Sequence, residues 1–385
     1  MRGRLVALLV IVGTLLAAIV LSACGGGGSS SSTEATAASG GETTAASSEG
    51  SESAEGSKDS GGTFSYLAMA GSAQFVKGLE KSFMPALEEE SGLKTAVDNF
   101  CCGTEKLKVQ QEAGSVTWSA VNWATTAEFL EAKENGQLEK LDPKVVDTSK
   151  LQPGTYDEYG YGVWKTATVV AWLPGAFPPG EEPKKFEDLF NTEKFPGKRC
   201  LYKYPEFGGT LEGALLAEGV PADKLYPLDL EKAFHKLGEM KNEIVWWTTG
   251  AQAAQFLLNG QCKMAAMWNG VAQNTAAEGN EIEIAWPQSV IFLGYNTVPK
   301  GSPNPEAAQK FLGMIINNTK AQEKFYETTA YTVPLKEPAI PKSVEKWAPE
   351  GANVAESITE DGKYYYEHSE EISKEFEDFL ITSGG

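Results

Sequence analysis

Between Gly25 and Gly62 the chain holds no aromatic residue and no Leu, Ile or Val, only Gly, Ser, Thr, Ala and a few charged residues. Such a stretch cannot bury enough apolar surface to offset the entropy lost on ordering it. It reads as a flexible tether, so the folded part is expected to begin near Thr63. What precedes the tether then needs its own explanation. Arg2 and Arg4 open a short basic region, and an apolar run follows from Leu5 to Val20, ending in Leu21-Ser22-Ala23-Cys24. A basic start, an apolar centre and small residues before a cut describe an export signal. An uncleaved anchor is the alternative, because the apolar run is nearly long enough to span a bilayer.

The placement of Cys24 after Leu-Ser-Ala resembles the bacterial lipoprotein signal, and the Gly run from Gly25 is unlike a continuing helix. That resemblance implies a signal peptide over residues 1–23, a lipidated Cys24 and a tether over 24–62. The expected location is outside the cytoplasm, on the membrane surface. Composition narrows the partners. Lys plus Arg number 33 against 52 Asp plus Glu, a net charge of −19. Phosphate backbones and anionic lipid headgroups both need a basic surface, so nucleic acid and peripheral lipid binding are excluded. His235 and His368 are the only histidines, too few for a His-rich metal centre or a His-based triad. No metal and no cofactor are expected.

From residue 63 on, strands and helices alternate. Phe64–Met69 reads as a strand closed by Ala70-Gly71-Ser72, and the apolar spacing of Phe75, Leu79, Phe83 and Leu87 predicts one helix over Gln74–Glu90. A strand over Val116–Val121 and a helix over Ala127–Asn135 follow. Tyr161–Leu173 is a long extended segment, and Pro178, Pro179 and Pro183 lead into a second unit. That unit has a helix Phe186–Phe190, a strand Arg199–Tyr202, helices Thr210–Ala217 and Leu230–Leu237, a strand Ile244–Trp247, a helix Ala251–Leu258 and a strand Met264–Met267. A second extended run, Ile282–Val298, returns to a helix opened by Asn304-Pro305. Such alternation implies a mostly parallel α/β sheet. Two units joined by two extended crossings predict two lobes with a cleft between them: 63–171 with 289–385, and 172–288.

Several segments in order carry a resemblance. Phe186-Glu187-Asp188-Leu189-Phe190 with Phe195-Pro196-Gly197-Lys198 resembles the "W-x-D-L … F-P-G-K" segment of extracytoplasmic solute-binding proteins of the spermidine/putrescine-binding type. So do Trp247-Thr248-Thr249-Gly250-Ala251-Gln252, Met267-Trp268-Asn269-Gly270, Pro299-Lys300-Gly301 and Ala330-Tyr331-Thr332-Val333-Pro334. The resemblance implies a type II periplasmic-binding-protein fold, with two crossovers, whose lobes close on a small solute. It further implies delivery to the transmembrane subunits of an ABC permease, by a monomer, with no enzymatic activity. The solute would be a polyamine or a related amine-type compound.

Binding residues of a hinged cleft are polar and aromatic groups on loops at strand ends. In the first lobe these are Ser72, Asn122 and Trp123, with Tyr161 and Trp164 on the first crossing. In the second they are Glu206, Trp247, Thr249, Trp268 and Asn269, with Tyr295 and Asn296 on the return crossing. Trp faces suit a cation, and carboxylates anchor an ammonium. Trp268→Ala is then expected to weaken binding while leaving the ligand-free melting temperature nearly unchanged. Thr248-Thr249-Gly250 opens a helix whose amides could hold an anionic group, although N-capping by Thr249 explains it equally. The return crossing reads Gly294-Tyr295-Asn296, where polyamine-binding relatives offer an acid. Two buried ammonium groups would lack countercharges there, which points toward a smaller amine, an amino-acid-like or an opine-like compound.

Four further cysteines, Cys101, Cys102, Cys200 and Cys262, allow three pairings in an oxidising setting. The first choice is Cys200–Cys262 within the second lobe, leaving Cys101 and Cys102 as a vicinal bridge or as free thiols. Two rival functions remain at this level. One is an extracytoplasmic enzyme on a similar fold, for which no nucleophile–base motif is found. The other is a ferric-iron receptor using Tyr364-Tyr365-Tyr366, although these residues fall in an acidic helix.

Overall fold

The computed structural model describes residues 62–69, 72–100 and 103–383. The export signal, Cys24, most of the tether, Gly71, Cys101 and Cys102 lie outside them. β1 (Thr63–Ala68) leads to α1 (Ala73–Lys81), α2 (Phe83–Ser91), β2 (Lys94–Asp98), α3 (Gly103–Glu112), β3 (Ala120–Trp123) and α4 (Thr126–Glu134). The long strand β4 (Gly160–Trp172) then crosses to β5 (Arg199–Tyr202), α5 (Thr210–Ala217), α6 (Leu230–Glu239), β6 (Ile244–Trp247), α7 (Gly250–Leu258), β7 (Met264–Trp268) and α8 (Asn269–Ala277). β8 (Glu283–Thr297) returns, followed by α9 (Pro305–Asn317), α10 (Thr319–Thr329), the short β9 (Ile358–Thr359) and α11 (Gly362–Ser383).

The strands form one sheet in the order β2-β1-β3-β8-β4-β7-β5-β6, with β9 on β8. Pairing is parallel among β2, β1 and β3 and again among β7, β5 and β6, the signature of helix-connected units. β4 and β8 pair antiparallel with each other, from Gly160↔Thr297 to Trp172↔Glu283, and connect the two ends. These are the two crossings, and the α/β architecture is the two-lobed one. The first lobe packs Phe64, Tyr66, Phe75, Phe83, Phe311 and Phe325 on one face of its sheet and Leu67, Trp118, Trp123 and Phe129 on the other. The second packs Phe186, Leu211, Leu215 and Leu237 on one face and Trp247, Leu257 and Met267 on the other. A disulfide joins Cys200 at β5 to Cys262 before β7.

Three details differ from the sequence expectations. The helix predicted over Gln74–Glu90 is two, broken at Ser82. Pro85 supplies no N–H for the carbonyl four residues back, so a continuous helix cannot pass this point. Asn304 does not cap α9; its side-chain amide donates instead to Thr63 O and Ser119 Oγ, tying the helix start to the beginnings of β1 and β3. The C-terminal helix, expected with the first lobe, buries Tyr365, Ile372, Phe376 and Leu380 in the second lobe's core while also touching α4. Its apolar spacing is visible in the sequence, but the surface it covers is not.

Candidate functional site

Where β4 and β8 run between the lobes, a pocket of about 50 Å3 is enclosed by side chains from both sides. Met69, Ser72 and Phe75 come from the β1–α1 connection, and Asn122 and Ala124 from the end of β3. Trp164, Thr166 and Gly294 come from the crossings, Phe207 and Trp268 from the second lobe, and Tyr331 from the turn after α10. Five of these eleven are aromatic.

The backbone works to present the rings. β4 slips register against β8 between Val163 and Thr166, a bulge at which Trp164 takes φ 55°. The bulge sets Trp164 at the wall of the pocket, its ring packed on Phe75, Phe83 and Phe325 of the first lobe's core and its indole N–H donating to the buried Tyr66 Oη at 3.3 Å. Lys165 is sent to the opposite face, where it pairs with Glu350 at 2.6 Å in a nearly dry setting. Phe207 also sits in the left-handed region, at φ 68°. That conformation costs a non-glycine residue about 1–2 kcal/mol, so surrounding contacts must hold both rings. Phe207 N–H donates to Glu360 Oε2 at 3.0 Å, and Phe207 O accepts from Trp268 Nε1 at 2.8 Å. The Phe207 ring packs against Phe292 and edge-on to Trp268, at centroid distances of 3.9 and 5.2 Å.

Charge lies beside this apolar box. Burial pushes the Glu206 carboxyl up to about 7, with the carboxylates of Glu128 and Glu212 adding to the effect. Burial likewise pushes Glu128 up to about 7, although its Oε2 accepts from the amides of Ala124 and Thr125 at the start of α4. Glu128 belongs to the first lobe, where its carboxylate closes the capping box at the start of α4, and Glu206 to the second, as the residue before Phe207. Behind them Glu212 is fully buried, with Oε1 accepting from Tyr226 and Tyr365 at 2.7 and 2.8 Å. Burial raises both Glu212 and Glu360.

Of the twelve residues expected at the site, Ser72, Asn122, Trp164 and Trp268 line the pocket. Glu206 precedes the pocket residue Phe207. The other seven do not reach it. Trp123 follows Asn122 in a strand and so faces the opposite side, where its Nε1 donates to Thr297 Oγ1. Tyr161 is fully buried and donates to Leu312 O. Trp247 sits one layer behind Trp268, covered by Tyr202. Thr249 is exposed and caps α7. Asn269 accepts from Ala167 N and donates to Ala330 O and Trp347 O, which occupies both ends of its amide. Tyr295 stacks on Phe129, and Asn296 accepts from Tyr66 Oη at 2.6 Å. The three consecutive tyrosines do not converge on one point: Tyr365 turns to Glu212, Tyr366 to Glu134, and Tyr364 stacks on His368.

Sequence reasoning missed Phe75, Phe207, Thr166 and Tyr331. Phe75 read as core because its spacing is helical. Phe207 had a usable signal, an aromatic residue immediately before Gly208-Gly209 at a strand end. Gly294 explains the missing acid on the return crossing: a Cβ there would lie 2.8 Å from Trp123 O and 2.9 Å from Asn122 Nδ2, so no side chain fits.

A hinged α/β fold with an aromatic cleft between its lobes defines a solute receptor. Comparisons with known proteins agree. Residues 83–350 match the family described as bacterial extracellular solute-binding protein, and the chain belongs to that family. It is 31% identical to a gamma-aminobutyric acid-binding protein of Pseudomonas aeruginosa over 77% of this chain and 85% of that one. A structure described as the Atu4243–GABA receptor superposes with a TM-score of 0.75 at 31% identity, covering 82% of this chain and 97% of that one. The spermidine/putrescine-binding periplasmic protein of Escherichia coli is more distant, 22% identical over 52% of this chain and 59% of that one. The fold is that of type II periplasmic binding proteins, and the chain is an extracytoplasmic solute-binding protein of the ABC-importer kind, not an enzyme. Among the described residues no helix is long and apolar enough to cross a membrane.

Proposed function

We propose that this protein captures a short, amine-bearing solute in the aromatic pocket by lobe closure and hands it to an ABC permease, working as a monomer tethered through a lipid on Cys24. The observation that carries the reading is the pocket itself. Trp164, Phe207 and Trp268 line it, and a cation held over an aromatic ring is worth about 0.5–2 kcal/mol per contact. Glu206, next in sequence to the pocket residue Phe207, supplies countercharge from the second lobe, so a cationic solute that also touches the first lobe favours the closed state.

Size argues for a short solute. A single water needs about 10–15 Å3 of such space, so a pocket of about 50 Å3 suits a few heavy atoms rather than an extended polyamine. Gly294, where no side chain fits, leaves the return crossing without an acid to pair a second ammonium. That a relative of 31% identity is named for gamma-aminobutyric acid makes this compound the first probe.

A thermal-shift panel tests the reading with γ-aminobutyrate, putrescine, spermidine, an opine and a neutral sugar. Ligand at ~100 times its dissociation constant should add about 2.7 kcal/mol to stability. A shift confined to short amines supports the reading; a shift with the sugar alone, or larger with spermidine than with any short amine, refutes it.

A further inference from the structure

Position 207 holds a phenylalanine where the backbone favours glycine. Phe207 sits at φ 68°, and Gly209, two residues on, takes φ 65° as glycine does without strain. Backbone strain of this kind collects at ligand-binding sites and persists only where the surroundings hold it. Of the loop over 203–209, only Phe207 lines the aromatic pocket. The ring is therefore the part of the loop that the strain serves.

Three hydrogen bonds fix the loop from outside. Phe207 N–H donates to Glu360 Oε2 at 3.0 Å, Phe207 O accepts from Trp268 Nε1 at 2.8 Å, and Pro205 O accepts from Tyr365 Oη at 3.2 Å. Two of these partners come from the stretch that opens α11. Glu360 lies 153 residues from Phe207 in sequence and is not part of the pocket wall. It is itself fastened to the return crossing: its N–H donates to Ile291 O at 2.8 Å, and β9, immediately before it, pairs with Val290 and Ile291 of β8. Two residues further on, Gly362 lies so close to α4 of the first lobe that a Cβ there would be 2.3 Å from Thr126 Cβ. The Phe207 backbone is thus held by a segment anchored to a crossing strand and in touch with the other lobe. Burial, with the carboxyls of Glu212 and Glu206 adding to it, raises Glu360 well above the usual carboxylate range. That favours the neutral acid, whose carbonyl oxygen accepts the Phe207 N–H without needing a charge.

We propose that Glu360 is a positioning residue of this receptor: without touching the solute, it aims the Phe207 ring into the aromatic pocket and ties that ring to the crossing strand β8. This rests on the reading above that the solute occupies the pocket. Without the acceptor, the backbone at 207 relaxes out of the left-handed region and the ring leaves the pocket wall.

The test is calorimetric titration of γ-aminobutyrate into the full chain, its Glu360→Ala, Glu360→Gln and Phe207→Gly variants, and the Phe207→Gly/Glu360→Ala double variant, with near-UV circular dichroism of each without ligand. Glu360→Ala should weaken binding roughly 5- to 30-fold, the factor equivalent to the cost of one left-handed residue, and should change the aromatic spectrum. Glu360→Gln keeps an acceptor oxygen and should return affinity to within about twofold and restore the spectrum. Phe207→Gly has no ring to aim and needs no hold, so adding Glu360→Ala to it should change affinity by less than about twofold. A residue that only stabilised the fold would weaken binding by the same factor in both backgrounds. Equal factors, unchanged affinity in Glu360→Ala, no recovery with Glu360→Gln, or loss of the fold in both backgrounds overturns the proposal. If γ-aminobutyrate does not bind the unmodified chain, the amine reading fails on its own and the spectra decide: a change with Ala that Gln restores supports the hold on Phe207, and identical spectra refute it.

Discussion

Glu206→Gln should make the protein more stable and less able to bind. The carboxyl is held at about 7 by burial and by facing Glu128 and Glu212, against about 4.5 when free. A carboxyl whose folded value is raised holds its proton better in the folded state. Its contribution to stability is therefore complete below about pH 4.5 and is lost as pH rises through about 7. At about 1.36 kcal/mol per pH unit, and discounting for the solvent that still reaches the group, the ionised form costs roughly 1–3 kcal/mol at pH 8. The amide carries no such charge. With an unfolding entropy of about 2.1 cal/mol/K per residue, the gain should raise the melting temperature by roughly 2–5 °C.

The assay is scanning calorimetry of both proteins without ligand, at pH 5 and pH 8. The expected result is a higher melting temperature for Glu206→Gln at pH 8 and near-equality at pH 5. Titration with γ-aminobutyrate at pH 8 should show the opposite sense, a loss of roughly 10- to 100-fold from one charge-assisted contact. A charge retained at a cost in stability is what a binding residue looks like. Equal stabilisation at both pH values, or none at pH 8, would refute the electrostatic reasoning. Unchanged affinity would remove Glu206 from the site.

Further perturbations separate structural roles from binding roles. Glu350→Ala strands the buried Lys165 ammonium, whose partner lies 2.6 Å away, and should cost about 3–5 kcal/mol in urea unfolding. Replacing Cys200 and Cys262 together by Ala opens the disulfide spanning 62 residues of sequence and should lower stability by about 2–4 kcal/mol, with little effect on affinity. Trp268→Ala should weaken binding but also destabilise the ligand-free protein by about 3–5 kcal/mol. Its indole packs on Phe207, Tyr202 and Trp247 and holds the Phe207 carbonyl, so the expectation of an unchanged melting temperature does not survive the structure.

The fold was legible in the sequence because strand and helix periodicities are local. β4, β5, α5 and β6 fall within a residue of their expected limits. β2 and α3 were missed because their sides are largely exposed and little apolar spacing marks them. The motif residues that carry the family resemblance turn out mainly to build the frame. Phe186, Leu189 and Phe190 are core, and the carbonyls of Leu189, Asn191, Phe195 and Gly197 wrap the buried Arg199 guanidinium. The site was harder to read for a geometric reason. A strand end offers two adjacent polar or aromatic residues, and only the local twist decides which one faces the cleft. Asn122 and Trp123 are such a pair, as are Trp268 and Asn269. The bulge that turns Trp164 inward and the left-handed backbone at Phe207 depend on β8, Thr332 and Glu360, which lie far away in sequence.

The central claim is that the solute lies between the lobes against the aromatic box. A crystal structure of the protein with whichever panel compound raises its melting temperature most tests that directly. The account predicts density enclosed by Trp164, Phe207, Trp268 and Tyr331, with contacts from both lobes. The opposite face of β4 and β8 carries a larger space of about 1030 Å3, lined by Lys165, Leu293 and Glu350. Density there, with the aromatic pocket holding only water, would contradict the account.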